Sequence, residues 1–179
     1  MSILKVSRLG HPVLRMEAQR VSKETLNSPA IQTLIDNMMQ TMVEYIGVGL
    51  AAPQVHESLS IAVMESHGPR GDFPMTVLVN PDVTVLDEEL IEDWEGCLSI
   101  PELRGRVPRW RKLRVDAWDR HGNPIQLIAE GFAARVVQHE FDHLMGKVYL
   151  DRMHDLKTLT HLAEFQRYWT PEPGEARAQ

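Results

Sequence analysis

Cysteine is nearly missing from this chain: among 179 residues only Cys97 carries a thiol. An intrachain disulfide is excluded, a reducing compartment suits the chain, and the single sulfur is left with packing, metal binding or reactivity as its role. Basic residues are also scarce, 19 against 25 acidic ones. The resulting charge of -6 and pI near 5.7 argue against a sequence-specific nucleic-acid surface and leave only a local basic cluster at Arg104, Arg106, Arg109 and Arg111. No apolar run is long enough to span a bilayer, and Met1 to Val6 has no signal-peptide core, so no membrane partner and a cytoplasmic protein are expected. Internal repeats are absent. What is present, 43% hydrophobic and 25% charged residues, fits one domain with a real core, expected over residues 1–169, with 170–179 as a flexible tail.

Hydrophobic periodicity supplies the coarse outline. Gly10 to Arg15 reads as a loop entering a short helix with Pro12 near its start. Ser28-Pro29 opens an N-terminal amphipathic helix whose core face runs through Ile31, Leu34, Ile35, Met38, Met39, Met42, Val43 and Ile46. Leu59 to Met64 and Met75 to Val79 read as strands separated by a loop from Ser66 to Pro74, and Asp82 to Leu86 continues the sheet. Lys112 to Trp118 and Pro124 to Ala129 form a hairpin across Asp119 to Asn123, with Trp118 as packing. Val148 to Leu150 reads as a short strand and Asp155 to Trp169 as a C-terminal amphipathic helix.

Three stretches stand out from this outline. Gly47 to Gln54 has no Gly-Lys-Ser/Thr and meets Pro53, which rejects a phosphate loop. Its glycines suit a wall along which a peptide backbone lies. Glu95 to Pro101 holds the lone thiol beside Gly96. Gln138 to Leu144 contains His-Glu-x-x-His, expected on a buried helix because Phe132 to Val137 is apolar except for Arg135, with Gly146 placed to end it. Residues four apart on a helix lie roughly 40° from each other around the axis, one turn apart. His139 and His143 can therefore share one ion, and Glu140 can address a water there without being a ligand.

The third ligand decides between metal hydrolases. A metzincin continues to a third histidine, where this chain has Tyr149. A thermolysin-like protease would use a later glutamate, for which Glu164 is the candidate, but that leaves Cys97 and Gln54 without a role. A Cys97-nucleophile hydrolase ignores Glu140 and the histidine pair. Cys97 as the third of three protein ligands, with an open position, is the other catalytic arrangement, and the Glu164 protease stays as its rival.

With these residues in view, the chain resembles the peptide deformylase family. Gly47-Val48-Gly49-Leu50-Ala51-Ala52-Pro53-Gln54, Glu95-Gly96-Cys97-Leu98-Ser99 and Gln138-His139-Glu140-Phe141-Asp142-His143-Leu144 match its three motifs in order, and the resemblance covers about residues 3–165. Gly131 to Val137 is similar to the organelle-type branch. The lack of a transit peptide points to a bacterial cytoplasmic protein, with a mature organelle form as the alternative.

The resemblance implies an α+β fold of antiparallel sheets wrapped around a central helix carrying the His-Glu-x-x-His motif. It implies removal of the formyl group from N-formylmethionyl peptides and nascent chains, releasing formate. It further implies Fe²⁺ held by Cys97, His139 and His143, with zinc, nickel or cobalt as substitutes. Glu140 would act as general base, and the Gln54 amide and Leu98 backbone N–H would stabilise the developing oxyanion. Val48, Leu98, Phe132 and Val136 are expected to receive the methionine side chain, backbone at Val48, Gly49 and Gly96 to pair with the peptide, and Arg104 to orient it. Glu95 and Asp142 are expected to support the ligands or to form structural ion pairs. A monomer with transient ribosome contact is the expected state. The alternatives are a His-Glu-x-x-His zinc endopeptidase with Glu164 as third ligand and a metal-binding relative without catalysis.

Overall fold

Residues 2–170 are described by the computed structural model of this chain. Ser28 caps the long N-terminal helix, α2 (Pro29–Glu44), which follows the single-turn α1 (Lys23–Leu26). Its hydroxyl accepts from the Ile31 N–H at 3.4 Å, and Pro29 sits at a position whose N–H needs no partner. Ile35, Met38 and Met42 are fully buried, so the methionine stripe is core. The apolar face ends sooner than its periodicity predicts. Val43 is exposed, and Ile46 lies past the helix, 93% exposed in the left-handed region (φ 56).

Five strands then run as an antiparallel meander in spatial order: β1 (Gly49–Ala51), β2 (Ile61–Gly68), β3 (Gly71–Cys97), β4 (Ile100–Trp118) and β5 (Pro124–Glu130). Alternation of side chains along each strand gives the sheet two working faces. Ile61, Val63 and Val79 pack with Leu50 against α2, while Met64 and Leu78 pack with Leu113, Val115 and Ala134 around the motif helix α3 (Phe132–Leu144). The fold is therefore α+β, with the sheet curling about α3, as the resemblance implied. The 27-residue β3 bends through repeated register shifts against β4.

Helix α3 is buried on nearly all sides and ends as its glycine predicts. The Gly146 N–H reaches the His143 carbonyl, the Lys147 N–H reaches that of Asp142, and Gly146 takes φ 69. A Cβ at Gly146 would stand 2.9 Å from the Arg15 backbone, so the cap also admits the N-terminal segment.

Several expectations are corrected. The loop expected over 66–74 is a hairpin with a two-residue turn, because β2 and β3 pair out to Gly68 and Gly71. Val148 to Leu150 does not add to the sheet: Tyr149–Arg152 is a 3-10 turn, with the Asp151 carboxylate accepting from the Val148 N–H. The single C-terminal helix is broken. Leu156–Thr158 forms a 3-10 turn, β6 (Thr160–His161) pairs with Leu103 and Arg104, and only α4 (Leu162–Tyr168) is helical. The basic cluster is not one surface patch: Arg106 and Arg111 are partly exposed and pair with Glu92 and Asp87, but Arg109 is 4% exposed and held by Glu95 and Asp142. Of the expected tail, residues 171–179 lie outside those described. No helix among the described residues is long and apolar enough to cross a membrane.

Candidate metal centre and active site

Three side chains converge from two distant segments. Cys97 is the last residue of β3, at the tight turn into β4, and this hairpin is carried against the face of α3 that bears His139 and His143. One donor atom from each of Cys97, His139 and His143 lies within 4.8 Å of the other two, with Cys97 Sγ 3.2 Å from His143 Nε2. A tetrahedral cation with ordinary bond lengths to sulfur and imidazole nitrogen requires donors about 3.6 Å apart, so the set fits a thiolate- and imidazole-bound divalent metal with little adjustment. Burial pushes the Cys97 thiol up, but the adjoining His143 and His139 more than reverse this and hold it well below its ordinary value. The sulfur is thus prepared as a thiolate donor.

Each donor is oriented by a neighbour. His139 Nδ1 lies 2.9 Å from Glu95 Oε2, which leaves its other ring nitrogen to face the cluster. Glu95 is itself held by Arg109, whose Nε and Nη2 donate to its two oxygens at 2.9 and 3.0 Å. Although burial alone would raise it, hydrogen bonds from His139 and Arg109 keep Glu95 ionised, far below the usual carboxylate range. Arg109 also donates to Asp142 at 2.6 Å, and Arg152 closes the other side of that carboxylate. Asp142 therefore belongs to an ion network one step removed from the donors.

Glu140 faces the cluster from the same helix. Burial pushes it up to about 7 against the opposing pull of His139 and His143, and its Oε2 is buried without a hydrogen-bond partner among the described residues. An unpartnered buried carboxyl oxygen is costly unless a ligand or water completes it. Gln54 enters from the turn after β1. Its Oε1 accepts from the Ala51 N–H at 2.8 Å, which turns Nε2 toward Cys97 Sγ (3.4 Å) and Ser99 Oγ (3.3 Å).

These groups open into a cavity of about 630 Å³. Val48, Gly49, Gly96, Leu98, Arg104, Phe132 and Val136 all border it, as do Gln54, Glu140, Cys97 and His139. Sequence reasoning missed its outer wall, where Leu162 and Phe165 of α4 stand beside Trp94, the Trp94 and Phe165 rings meeting edge-on at 5.0 Å. Only the apolar character of Trp94 within an acidic run hinted at it. Glu164 is apart from the cluster: about half exposed, it pairs with Arg167 on its own helix, which removes the carboxylate that a thermolysin-like arrangement requires.

An antiparallel sheet around a helix with a Cys-His-His donor set and a buried carboxyl at its side defines a class, the small α+β metallohydrolases. The family model for polypeptide deformylase matches residues 3–159. Peptide deformylase 1 of Nitrosomonas europaea is 44% identical over 87% of this chain and 90% of its own length, and that of Bordetella pertussis is 42% identical over 82% and 89%. Among solved structures, the Met-Ala-Ser bound class I type b peptide deformylase of Acinetobacter baumannii superposes with a TM-score of 0.81 at 37% identity, covering 85% of this chain and 99% of that one. The enzyme of Thermotoga maritima gives 0.78 at 36% identity, covering 87% and 100%. The chain belongs to the polypeptide deformylase family, hydrolases that act on the formyl-methionine amide bond.

Proposed function

We propose that this chain hydrolyses the formyl group from the N-terminal methionine of new polypeptides, with Cys97, His139 and His143 as metal ligands and Glu140 as the proton-transfer group. The observation that carries this reading is the buried, unpartnered Glu140 Oε2 beside the three donors in a cavity large enough for a peptide. A divalent cation held by these donors, Fe²⁺ on the resemblance to the family, would supply Lewis acidity toward a water and a carbonyl.

The remaining work falls to the protein. Glu140, poised near neutrality, accepts a proton from the water as its oxygen adds to the formyl carbon. The Gln54 amide, already aimed at the cluster by its bond to Ala51, donates to the formyl oxygen as charge gathers there, with the Leu98 N–H as a second donor. Glu140 then returns the proton to the departing nitrogen as the C–N bond breaks, leaving formate and a free amine. Phe132, Val136, Val48 and Leu98 bury the methionine side chain, while Gly49 and Gly96 let the peptide backbone approach and Arg104 borders its path. A formyl carbon carries only hydrogen, so crowding beside Cys97 and Glu140 admits it and rejects acetyl and peptidyl carbonyls. The Met-Ala-Ser bound relative favours a peptide of that kind here.

Anaerobic turnover of formyl-Met-Ala-Ser, acetyl-Met-Ala-Ser and an internal peptide tests the proposal. Formate release from the first alone is expected. Cleavage of the internal bond would select a protease instead, and near-normal turnover by a metal-loaded Glu140→Gln variant would remove the assigned base.

A further inference from the structure

Arg135 is the one charged residue in the first two turns of α3, and it is 5% exposed. A buried guanidinium needs its donors matched, and this one has four acceptors. Nη1 donates to Glu95 Oε1 at 2.8 Å, to the Val107 carbonyl at 2.8 Å and to the Asp93 carbonyl at 3.3 Å, and Nη2 donates to the Ile91 carbonyl at 2.6 Å. The same side chain thus ties α3 to both β3 and β4 and reaches the carboxylate that orients His139.

Glu95 is shared by two arginines and one imidazole. Its Oε1 accepts from Arg109 Nε and Arg135 Nη1, and its Oε2 from Arg109 Nη2 and His139 Nδ1, so both oxygens carry two donors. Arg109 is shared with Asp142 through its third nitrogen. Without Arg135, Oε1 keeps a single donor, from β4, and of these bonds only that of His139 itself still joins Glu95 to α3. We infer that Arg135 is a positioning residue for the metal centre: by fixing Glu95 between the β3–β4 pair and α3, it holds the His139 ring in the orientation that the Cys97–His139–His143 set requires. This rests on the proposed ligand set and adds to it a residue that acts through Glu95 rather than as a donor atom of the set.

The test compares zinc affinity, by competition with a chelator, in the parent, Arg135→Gln, Arg152→Ala and His143→Ala proteins, each first checked for a folded circular-dichroism spectrum. Loss of an outer hydrogen-bonding partner of a metal-bound histidine weakens affinity about 10–100-fold, and Arg135→Gln is expected in that range. Arg152, which bonds only the far side of the network at Asp142, is the control and is expected to stay within about twofold of the parent. In the zinc-loaded protein, the His139 Nδ1 proton resonance should broaden or shift in Arg135→Gln and be unchanged in Arg152→Ala. Parental affinity in a folded Arg135→Gln protein overturns the inference, and so does an equal loss in Arg152→Ala, which would mark a general effect of the ion network. If Arg135→Gln does not fold, Arg135→Lys is read by the same criterion, since one ammonium cannot serve Glu95 and the Ile91 carbonyl together. Retention of parental affinity by His143→Ala would instead refute the ligand set itself.

Discussion

A Cβ placed on Gly49 would stand 2.1 Å from Glu140 Oε1. The first strand of the sheet and the motif helix therefore meet at a point where only hydrogen fits, and the Glu140 carboxyl is seated against backbone. Gly49→Ala should push Glu140 out of line while leaving Cys97, His139 and His143 untouched. Turnover is expected to fall about 10²–10⁴-fold, the range assigned to general acid–base catalysis, with the metal content retained. A Gly49→Ala enzyme with parental kcat would show that the carboxyl is placed by something other than this contact.

Gly96 makes the corresponding approach on the opposite bank, where an added Cβ would lie 2.2 Å from Arg104 Nη1. Here the obstructing atom ends a flexible side chain, so the protein should fold and Arg104 should swing away. The expected signature of Gly96→Ala is a raised KM for formyl-Met-Ala-Ser with kcat within about twofold of the parent, the pattern of lost uniform binding. A fall in kcat with KM unchanged would place Arg104 in the chemical step instead.

Met38 is fully buried between α2 and the sheet face formed by Leu50, Ile61 and Val63. Met38→Ala removes a large side chain from a packed layer and should cost about 2–5 kcal/mol in urea unfolding. Val43→Ala, on the same helix but 57% exposed, should change stability by no more than about 0.5 kcal/mol. Equal costs for the two would contradict the face assigned to α2.

Asp119 organises the β4–β5 turn, accepting from the His121 and Asn123 N–H groups at 2.8 and 2.9 Å and from the Asn123 amide at 2.9 Å. Slight burial raises its pKa, but the Asn123 side-chain bond and these backbone bonds outweigh that and lower it below the ordinary 3.8. A depressed folded value means that the stabilisation is complete above the unfolded pKa and is lost as pH falls through the folded one. The stability gap between the parent and Asp119→Ala should therefore be constant near neutrality and shrink below about pH 4, as followed by thermal melts. A gap that widens in acid would reverse the sign.

Much of the site was legible in linear order because its parts carry local rules. The spacing of His139 and His143 sets them on one helical face, and Gly146 ends that helix because its left-handed backbone disfavours a side chain. Trp118 packs against the α2 cluster, as its place in the hairpin suggested. Arg109 was grouped with a local basic cluster because four arginines close in sequence look alike until the distant Glu95 and Asp142 carboxylates hold one in the interior. The C-terminal segment was misread as one helix because its leucine spacing says nothing of the β4 edge that captures Thr160 and His161.

Residue order alone was enough for the three motifs, the helical histidine pair and the carboxyl beside it, since each depends on residue identity or on a period of a few residues, and the α+β fold followed from the resemblance those motifs carry. Only the tertiary structure decided that Cys97 meets those histidines, that Glu95 turns to His139 between Arg109 and Arg135, and that Trp94 and Phe165 complete the cavity wall. The physical reason is that these contacts join segments tens of residues apart. Their geometry is set by the bend of β3 and the packing of α3 within the sheet, which no local spacing encodes.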